Sequence, residues 1–312
     1  MPAELKTFLW NGVRFLTPFL AILFVLELLL NQWDARANKG GYREALENPK
    51  NCDCIIIGSS HSENGIDPHY LDQLGWNAFN FSHPAAPPKY FLNWYSEIFS
   101  RYHQKPRLVL YQTDWFLFND SFLYYVYEED SRSLPFPVFS RHLFDSRFDR
   151  GRLLKHRFLL SIWYGRLPDF FRENAIAQKN FAHQYKGFWP VPSAVYHDFP
   201  RPIPLINPVQ VEAFEKLIDQ FQSEGVTVVF VQAPEHIPDR VSHPEALKIL
   251  DQFAAAKRIP FLDYNRQKAS AFNYDRQWYV DWGHLNGKGA AKFSPRLADD
   301  LSKILLSPTK SP

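Results

Sequence analysis

The sequence predicts an α/β protein: a parallel sheet layered between helices, preceded by an apolar N-terminal helix and interrupted by a long aromatic-rich insertion. Three observations predict it. Short β-branched runs such as Cys54-Ile55-Ile56-Ile57 end at glycine or polar residues, as strands buried on both faces do. Helix starts written as an N-cap followed by proline, Asp67-Pro68 and Asn207-Pro208, alternate with those runs. Strands alternating with helices imply a parallel sheet covered on both faces.

The N-terminus comes first. Phe15 to Leu30 is apolar except for Thr17, Pro18 and Glu27, and with Phe8–Val13 the stretch reaches from Phe8 to Leu30. As a helix it would be about 35 Å long, enough to cross a bilayer. Lys6, Arg14 and the amino terminus precede it and favour an N-inside, C-outside orientation, although Lys39, Arg43 and Lys50 follow it. The leading reading is a retained anchor over residues 1–31. A cleavable signal peptide is the rival, because Ala35-Arg36-Ala37 resembles a processing site. A buried core helix is the third. In the first two cases the remainder is exported, as a periplasmic or extracellular domain.

Residues 32–51 are polar and read as a linker. Cys54–Ile57 is the first strand. A helix is predicted from Asp67-Pro68 to about Leu74, where Gly75 stops it, and Ala78–Phe81 is a second strand. The Pro84–Pro88 segment leads into a helix near Lys89–His103, and Leu108–Tyr111 is a third strand. The pattern then breaks over 115–206, which is dense in Trp, Phe, Tyr and proline and holds one recognisable helix near Leu153–Tyr164, ended by Gly165 and Pro168. A structureless loop of that length is improbable in a compact domain. We read an insertion, either a packed subdomain or a lid, groove or partner surface. Regularity returns with a helix from Asn207-Pro208 to about Ser223, stopped by Gly225. A strand over Val226–Val231, a helix near Pro244–Lys257, a strand over Ile259–Leu262 and a closing helix over Gly287–Ile304 complete a domain spanning 52–306, with a short tail at 307–312.

Composition excludes several classes. A formal net charge of +2 over 312 residues, with no basic stripe, argues against nucleic-acid binding. The two cysteines, Cys52 and Cys54, are too close for an ordinary disulfide and too few for a metal site. They read as small residues leading into a strand. No metal-ligand spacing and no Gly-rich nucleotide loop occurs, so neither a metal nor a cofactor is expected. Aromatic residues make up 17% of the chain, enough for a large core with a surplus to line a groove or touch a membrane.

Two short segments carry the chemistry. Gly58-Ser59-Ser60-His61-Ser62 follows the first strand, and Asp281-Trp282-Gly283-His284 precedes the last helix. A serine hydroxyl is a weak nucleophile until an imidazole takes its proton and a carboxylate fixes that imidazole's tautomer. A D-x-x-H turn supplies both partners from one loop.

Strand–Gly58-Ser59-Ser60, the following Asn64-Gly65-Ile66-Asp67-Pro68 and the late Asp281-x-x-His284 together resemble the SGNH/GDSL hydrolase superfamily. The nearest resemblance is to its membrane-anchored DltD-like and alginate O-acetylation members. The resemblance covers roughly 52–114 and 207–306. It implies a three-layer, flavodoxin-like sheet, Ser60 as nucleophile and first oxyanion donor, His284 as general base and Asp281 as its orienter. The family's second block falls in Ser82-His83-Pro84-Ala85-Ala86, where Ala85 or Ala86 replaces the usual glycine as donor. In its third block Gln112, Thr113 and Asp114 stand where the family has an asparagine run, so Gln112 or Thr113 would donate instead. Asp114 is a substrate-binding candidate or a cap for the insertion. Ser59 reads as structural, His61 as a substrate contact or an exposed turn histidine, and His236 as a loop residue on the surface.

The resemblance implies a tethered, extracytoplasmic acyl-ester hydrolase or O-acyltransferase acting on a surface glycan or a small acyl ester, with a multi-span membrane acyltransferase as a partner. Two rivals stay open. One is a free-standing esterase or lipase. The other is a catalytically silent assembly or binding subunit.

Overall fold

In a computed structural model the described residues are 2–33, 51–119, 136–144, 150–158, 185–192, 205–236, 244–266 and 275–306, with Leu134, Pro168, Phe171, Tyr196 and His197 besides. The chain divides into two compact units, Met1–Asn38 with Glu128–Asn180, and Lys39–Tyr127 with Phe181–Pro312.

The first unit begins with α1 (Ala3–Trp33), which continues through Pro18. Proline removes one backbone hydrogen bond, and the neighbouring Thr17 hydroxyl donates to the Val13 carbonyl at 2.7 Å. Within Ala3–Leu30 an 18-residue stretch reaches a mean hydropathy of 2.2, so by length and composition the helix can cross a membrane; a signal sequence meets the same standard. Large side chains along it, among them Phe8, Phe15 and Phe24, are exposed. The same unit holds α5 (Phe136–Phe144), which the sequence reading did not include, and α6 (Arg150–Arg157), which starts ahead of the expected Leu153. The expected continuation to Tyr164 lies outside the described residues, as do Phe122, Tyr124, Tyr125 and Tyr127.

The second unit is the sheet. Its strands are β1 (Cys54–Ile57), β2 (Ala78–Asn80), β3 (Leu108–Gln112), β4 (Thr227–Gln232) and β5 (Phe261–Asp263), in spatial order 2-1-3-4-5 and parallel throughout. That is the flavodoxin-like order of a doubly wound sheet, in which sites gather beyond the carboxyl ends of strands at the β1/β3 switch point.

Every residue of β1 is buried, and the side-chain alternation sends it both ways. Cys54 and Ile56, with Leu108, Leu110, Val229 and Val231, join a core with Phe293, Leu297 and Leu301 of the closing helix α9 (Gly287–Leu306). On the opposite face Tyr111 and Phe230 meet Phe91 of α4 (Pro88–Trp94) and Phe214 of α7 (Pro208–Ser223) through ring contacts of 5.2–6.0 Å. Helices therefore cover both faces, giving the expected α/β layering.

Local signals explain most element ends. Asn207 accepts from the Val209 N–H at 2.8 Å and caps α7, and Gly225 adopts φ +73° just beyond it. The helix after β2 continues through a π-helical turn, Tyr95–Phe99, into Ser100–Tyr102. Helix α8 (Pro244–Ala256) lies where expected. Two short helices differ from expectation. α2 (Ser60–Gly65) follows β1 directly, and the helix after Asp67-Pro68 is only α3 (His69–Asp72). Cys52 and Cys54 are buried thiols at the start of β1, not joined in a disulfide, and burial pushes the Cys52 thiol up to about 11.

Candidate active site

Strand β1 delivers its chain into the switch point through Gly58, at φ +155°. A Cβ there would stand 2.6 Å from Ser62 Oγ and 2.7 Å from Gln112 Cβ. The second contact is to an atom fixed to the β3 backbone, so it has nowhere to go. Gly58→Ala is therefore expected to destabilise the full-length protein by about 3 kcal/mol, through overpacking and backbone strain. Thermal melting of the purified chain measures it, and an unchanged melt would show that the turn relaxes freely.

Ser59 is the N-cap of α2, its hydroxyl accepting from the His61 N–H at 3.2 Å. Ser60 is thus the first helical residue, whose N–H has no intrahelical acceptor. Its hydroxyl Oγ lies 2.7 Å from His284 Nε2, although 224 residues separate them in sequence.

His284 reaches this point on a tight loop. A bridge between Tyr279 and Leu285 closes it, the Asn286 N–H donates to the Trp278 carbonyl at 2.9 Å, and the Asn286 side chain caps α9 by accepting from Lys288 and Gly289 at 3.0 Å. Inside the loop, Asp281 accepts from the Gly283 N–H at 2.8 Å and the His284 N–H at 2.9 Å. Its two oxygens stand 3.0 and 2.8 Å from His284 Nδ1. Burial alone would raise the Asp281 carboxyl. The bond to the imidazole, its charge and the two amides outweigh burial and hold the group at about 2. An ionised Asp281 calls for the proton on Nδ1, which leaves Nε2 to accept from Ser60.

The remaining expected residues divide. His83, two residues before Ala85, donates its N–H to the Gly58 carbonyl at 3.0 Å, pinning that loop beside the serine turn. Ala85 adopts φ +57°. This is the left-handed region that glycine enters freely, which gives a physical reason for a glycine at this place in the resembled family. The Ala86 N–H is already given to the His83 carbonyl at 3.1 Å, whereas no described residue accepts from Ala85 N–H. Neither third-strand candidate has a donor to spare. Thr113 donates both its N–H, at 2.7 Å, and its hydroxyl, at 3.5 Å, to the Val231 carbonyl, and Gln112 Nε2 donates to Asp114 Oδ1 at 2.6 Å and to the Thr113 carbonyl at 3.4 Å.

Two histidines are placed differently from expectation. His61, read as a substrate contact or an exposed turn histidine, is 2% exposed, with Nδ1 2.8 Å from Asp114 Oδ1, which excludes the exposed reading. Asp114 is also buried and accepts from the Ser59 hydroxyl at 2.6 Å, so it is neither solvent-facing nor a simple cap. The helix that starts at Ser60 turns residue 61 inward. A turn histidine beside a serine gave no periodic signal of that direction. His236, read as a surface residue, is buried because its N–H donates to the Trp282 carbonyl at 2.9 Å and its ring meets Tyr196 and Tyr279.

Charge in the His61–Asp114 pair follows its neighbours. Burial opposes protonation of His61, but the charge and hydrogen bond of Asp114 and the charges of Glu235 and Asp281 raise it above the ordinary imidazole value. Burial likewise raises Asp114, and His61, Ser59 and Gln112 hold it below the carboxylate range. Among the described residues, His61, Asp114 and Glu235 also bring potential metal-ligand atoms within 4.8 Å of one another. The His61 and Asp114 atoms are already bonded to each other, so these two form a hydrogen-bonded network more readily than an open cation site.

Beside the turn is a cavity of about 70 Å³ whose lining includes Ser59, Ala85, Ala86, Asp114, Phe116 and Leu117.

Residues 35–142 match a family described as a protein of unknown function, DUF1574. This is under half of the chain; it includes Ser60, His61 and Asp114 but not Asp281 or His284. No curated protein matches the chain. Similar solved structures include a presumed acylhydrolase from Bacteroides fragilis, 10% identical, covering 86% of this chain and 94% of that one with a TM-score of 0.35. Another is a GDSL-like lipase from Bacteroides thetaiotaomicron, 11% identical, covering 89% and 100% with a TM-score of 0.39. At these scores the superposition is loose, and the chemistry has to be read from this chain's own residues.

Proposed function

We propose that this protein is a membrane-tethered serine acyl-ester hydrolase or acyl-transfer enzyme of the SGNH type, acting outside the cytoplasm on a surface glycan. The observation that carries the reading is the 2.7 Å contact between Ser60 Oγ and His284 Nε2, with Asp281 bonded behind the imidazole.

In this mechanism His284 Nε2 takes the Ser60 proton as Oγ attacks the acyl carbonyl. The tetrahedral oxyanion is met by the Ser60 N–H at the start of α2, with Ala85 N–H as the second donor. A donor of this kind is worth about 3–4 kcal/mol in the transition state. His284 then gives its proton to the leaving oxygen, and the acyl group stays on Ser60 as an ester. A sugar hydroxyl or water, deprotonated by His284, attacks that ester and regenerates the serine. The alanyl- or acetyl-transfer members of the resembled family offer a template. Tethering by α1 would raise the effective concentration of a donor delivered by a multi-span membrane acyltransferase.

With the cavity beside Ser59 and Ala85 assigned as the acyl site, its size favours a short acyl group, acetyl above all. A cavity of about 150 Å³ accommodates the six carbons of benzene, so about 70 Å³ has room for roughly three. That argues against a lipase with a long acyl chain. A fluorophosphonate should label the wild type, with the adduct on the peptide containing Ser60. p-Nitrophenyl acetate should be turned over at least tenfold faster than the octanoate. A wild type that takes no label and splits neither ester would favour the silent subunit; faster octanoate turnover would favour the lipase.

A further inference from the structure

Ser60 is flanked by two residues whose side chains converge on one carboxylate. Asp114 accepts from the Ser59 hydroxyl through Oδ2 at 2.6 Å and meets His61 Nδ1 through Oδ1 at 2.8 Å. Gln112 reinforces the grip, donating to Asp114 Oδ1 at 2.6 Å and accepting from the Ser59 N–H at 3.2 Å. The far side of the His61 ring faces the other catalytic loop. It meets the His284 ring edge to face, with centroids 4.6 Å apart at 88°, and the Trp282 ring at 5.6 Å. A Cβ on Gly283 would overlap its Nε2 and Cε1, so the D-x-x-H loop is built around this imidazole.

Stability alone is a poor reason for such a pair. Burying two titratable groups costs desolvation that their attraction does little more than repay, and apolar residues of the same size would serve the fold as well. The pair spans both halves of the reacting contact, however, and a misplacement of about 1 Å there costs on the order of a hundredfold in rate. We propose that His61 and Asp114 are positioning residues for the Ser60–His284 contact. Asp114 holds the two neighbours of the serine, and the His61 ring forms the wall that sets the plane of the His284 imidazole. This inference rests on the triad reading above.

The test uses the full chain in detergent and a fluorophosphonate as probe, comparing wild type, His61→Asn and Asp114→Asn. The asparagine at 61 keeps a donor for Asp114 but removes the ring that faces His284. Asp114→Asn keeps that ring and removes the anionic grip. In both, the capture rate at saturating probe should fall ten- to a hundredfold. The half-saturating concentration should stay within twofold and the final stoichiometry at one adduct per chain, and a purely structural lesion would not give that split. Capture at the wild-type rate in either folded variant overturns the proposal. If one variant fails to melt cooperatively the other decides, and if neither folds the pair is structural and the proposal is overturned. A wild type that is never captured removes the triad reading itself, an outcome separate from equal capture of all three proteins.

Discussion

Ser60→Ala is expected to abolish covalent capture by a fluorophosphonate and to lower ester turnover by about a millionfold, with His284→Ala close behind. In the proposed mechanism the two act as one device. Without the imidazole at 2.7 Å the hydroxyl keeps its proton at neutral pH, and without the hydroxyl the base has nothing to activate. The double variant should therefore be scarcely slower than either single one. Intact-mass measurement after labelling, together with p-nitrophenyl acetate turnover, decides it. A Ser60→Ala protein that still takes the label would move the nucleophile elsewhere, with Ser59 the first place to look.

Asp281→Asn is expected to leave the loop standing and to cost about ten-thousandfold in turnover. The asparagine Oδ1 can still accept from Gly283 and His284 N–H, which the carboxylate does at 2.8 and 2.9 Å. Its amide, however, donates toward Nδ1 and moves the imidazole proton to Nε2, where it faces Ser60 as a donor and blocks deprotonation. The substitution also carries a pH signature. Because the folded-state carboxyl is held at about 2, below its unfolded value, its contribution to stability is fully present above that unfolded value. That contribution is lost as pH falls from about 4 through 2. Melting temperature should drop over this window more steeply in wild type than in Asp281→Asn. Parallel curves would mean that Asp281 is not held low by the fold.

The strand and helix framework was legible because it is written in local signals. A β-branched run ended by glycine at 58, an asparagine cap at 207 and the glycine stop at 225 each act within a few residues, and the corresponding elements stand where those signals are. Ser60, Asp281 and His284 were legible for a related reason. A strand-to-helix turn and a D-x-x-H loop are short motifs whose positions at the ends of predicted elements send them toward the same edge of a parallel sheet.

The direction of His61 was not legible. One helical turn beginning at Ser60 rotates its side chain into the fold, and no periodicity over so few residues announces that. Nothing in the sequence signals that the donors expected from Gln112 and Thr113 are engaged inside the fold, by Asp114 and by the neighbouring strand. Only the sheet pairing reveals such use. The left-handed backbone at Ala85 was equally hidden, since alanine carries no mark of the conformation it is made to adopt.

By itself, then, the amino-acid order determined a parallel α/β layer, an apolar segment ahead of it and two candidate reactive motifs from opposite ends of the sequence that forms that layer. Tertiary structure alone decided that residues 224 apart come within hydrogen-bond distance, and that a buried histidine–aspartate pair stands beside their contact. Caps, breakers and alternation act over a few residues, whereas the distance between two loops is set by how five strands pair and how helices pack across them.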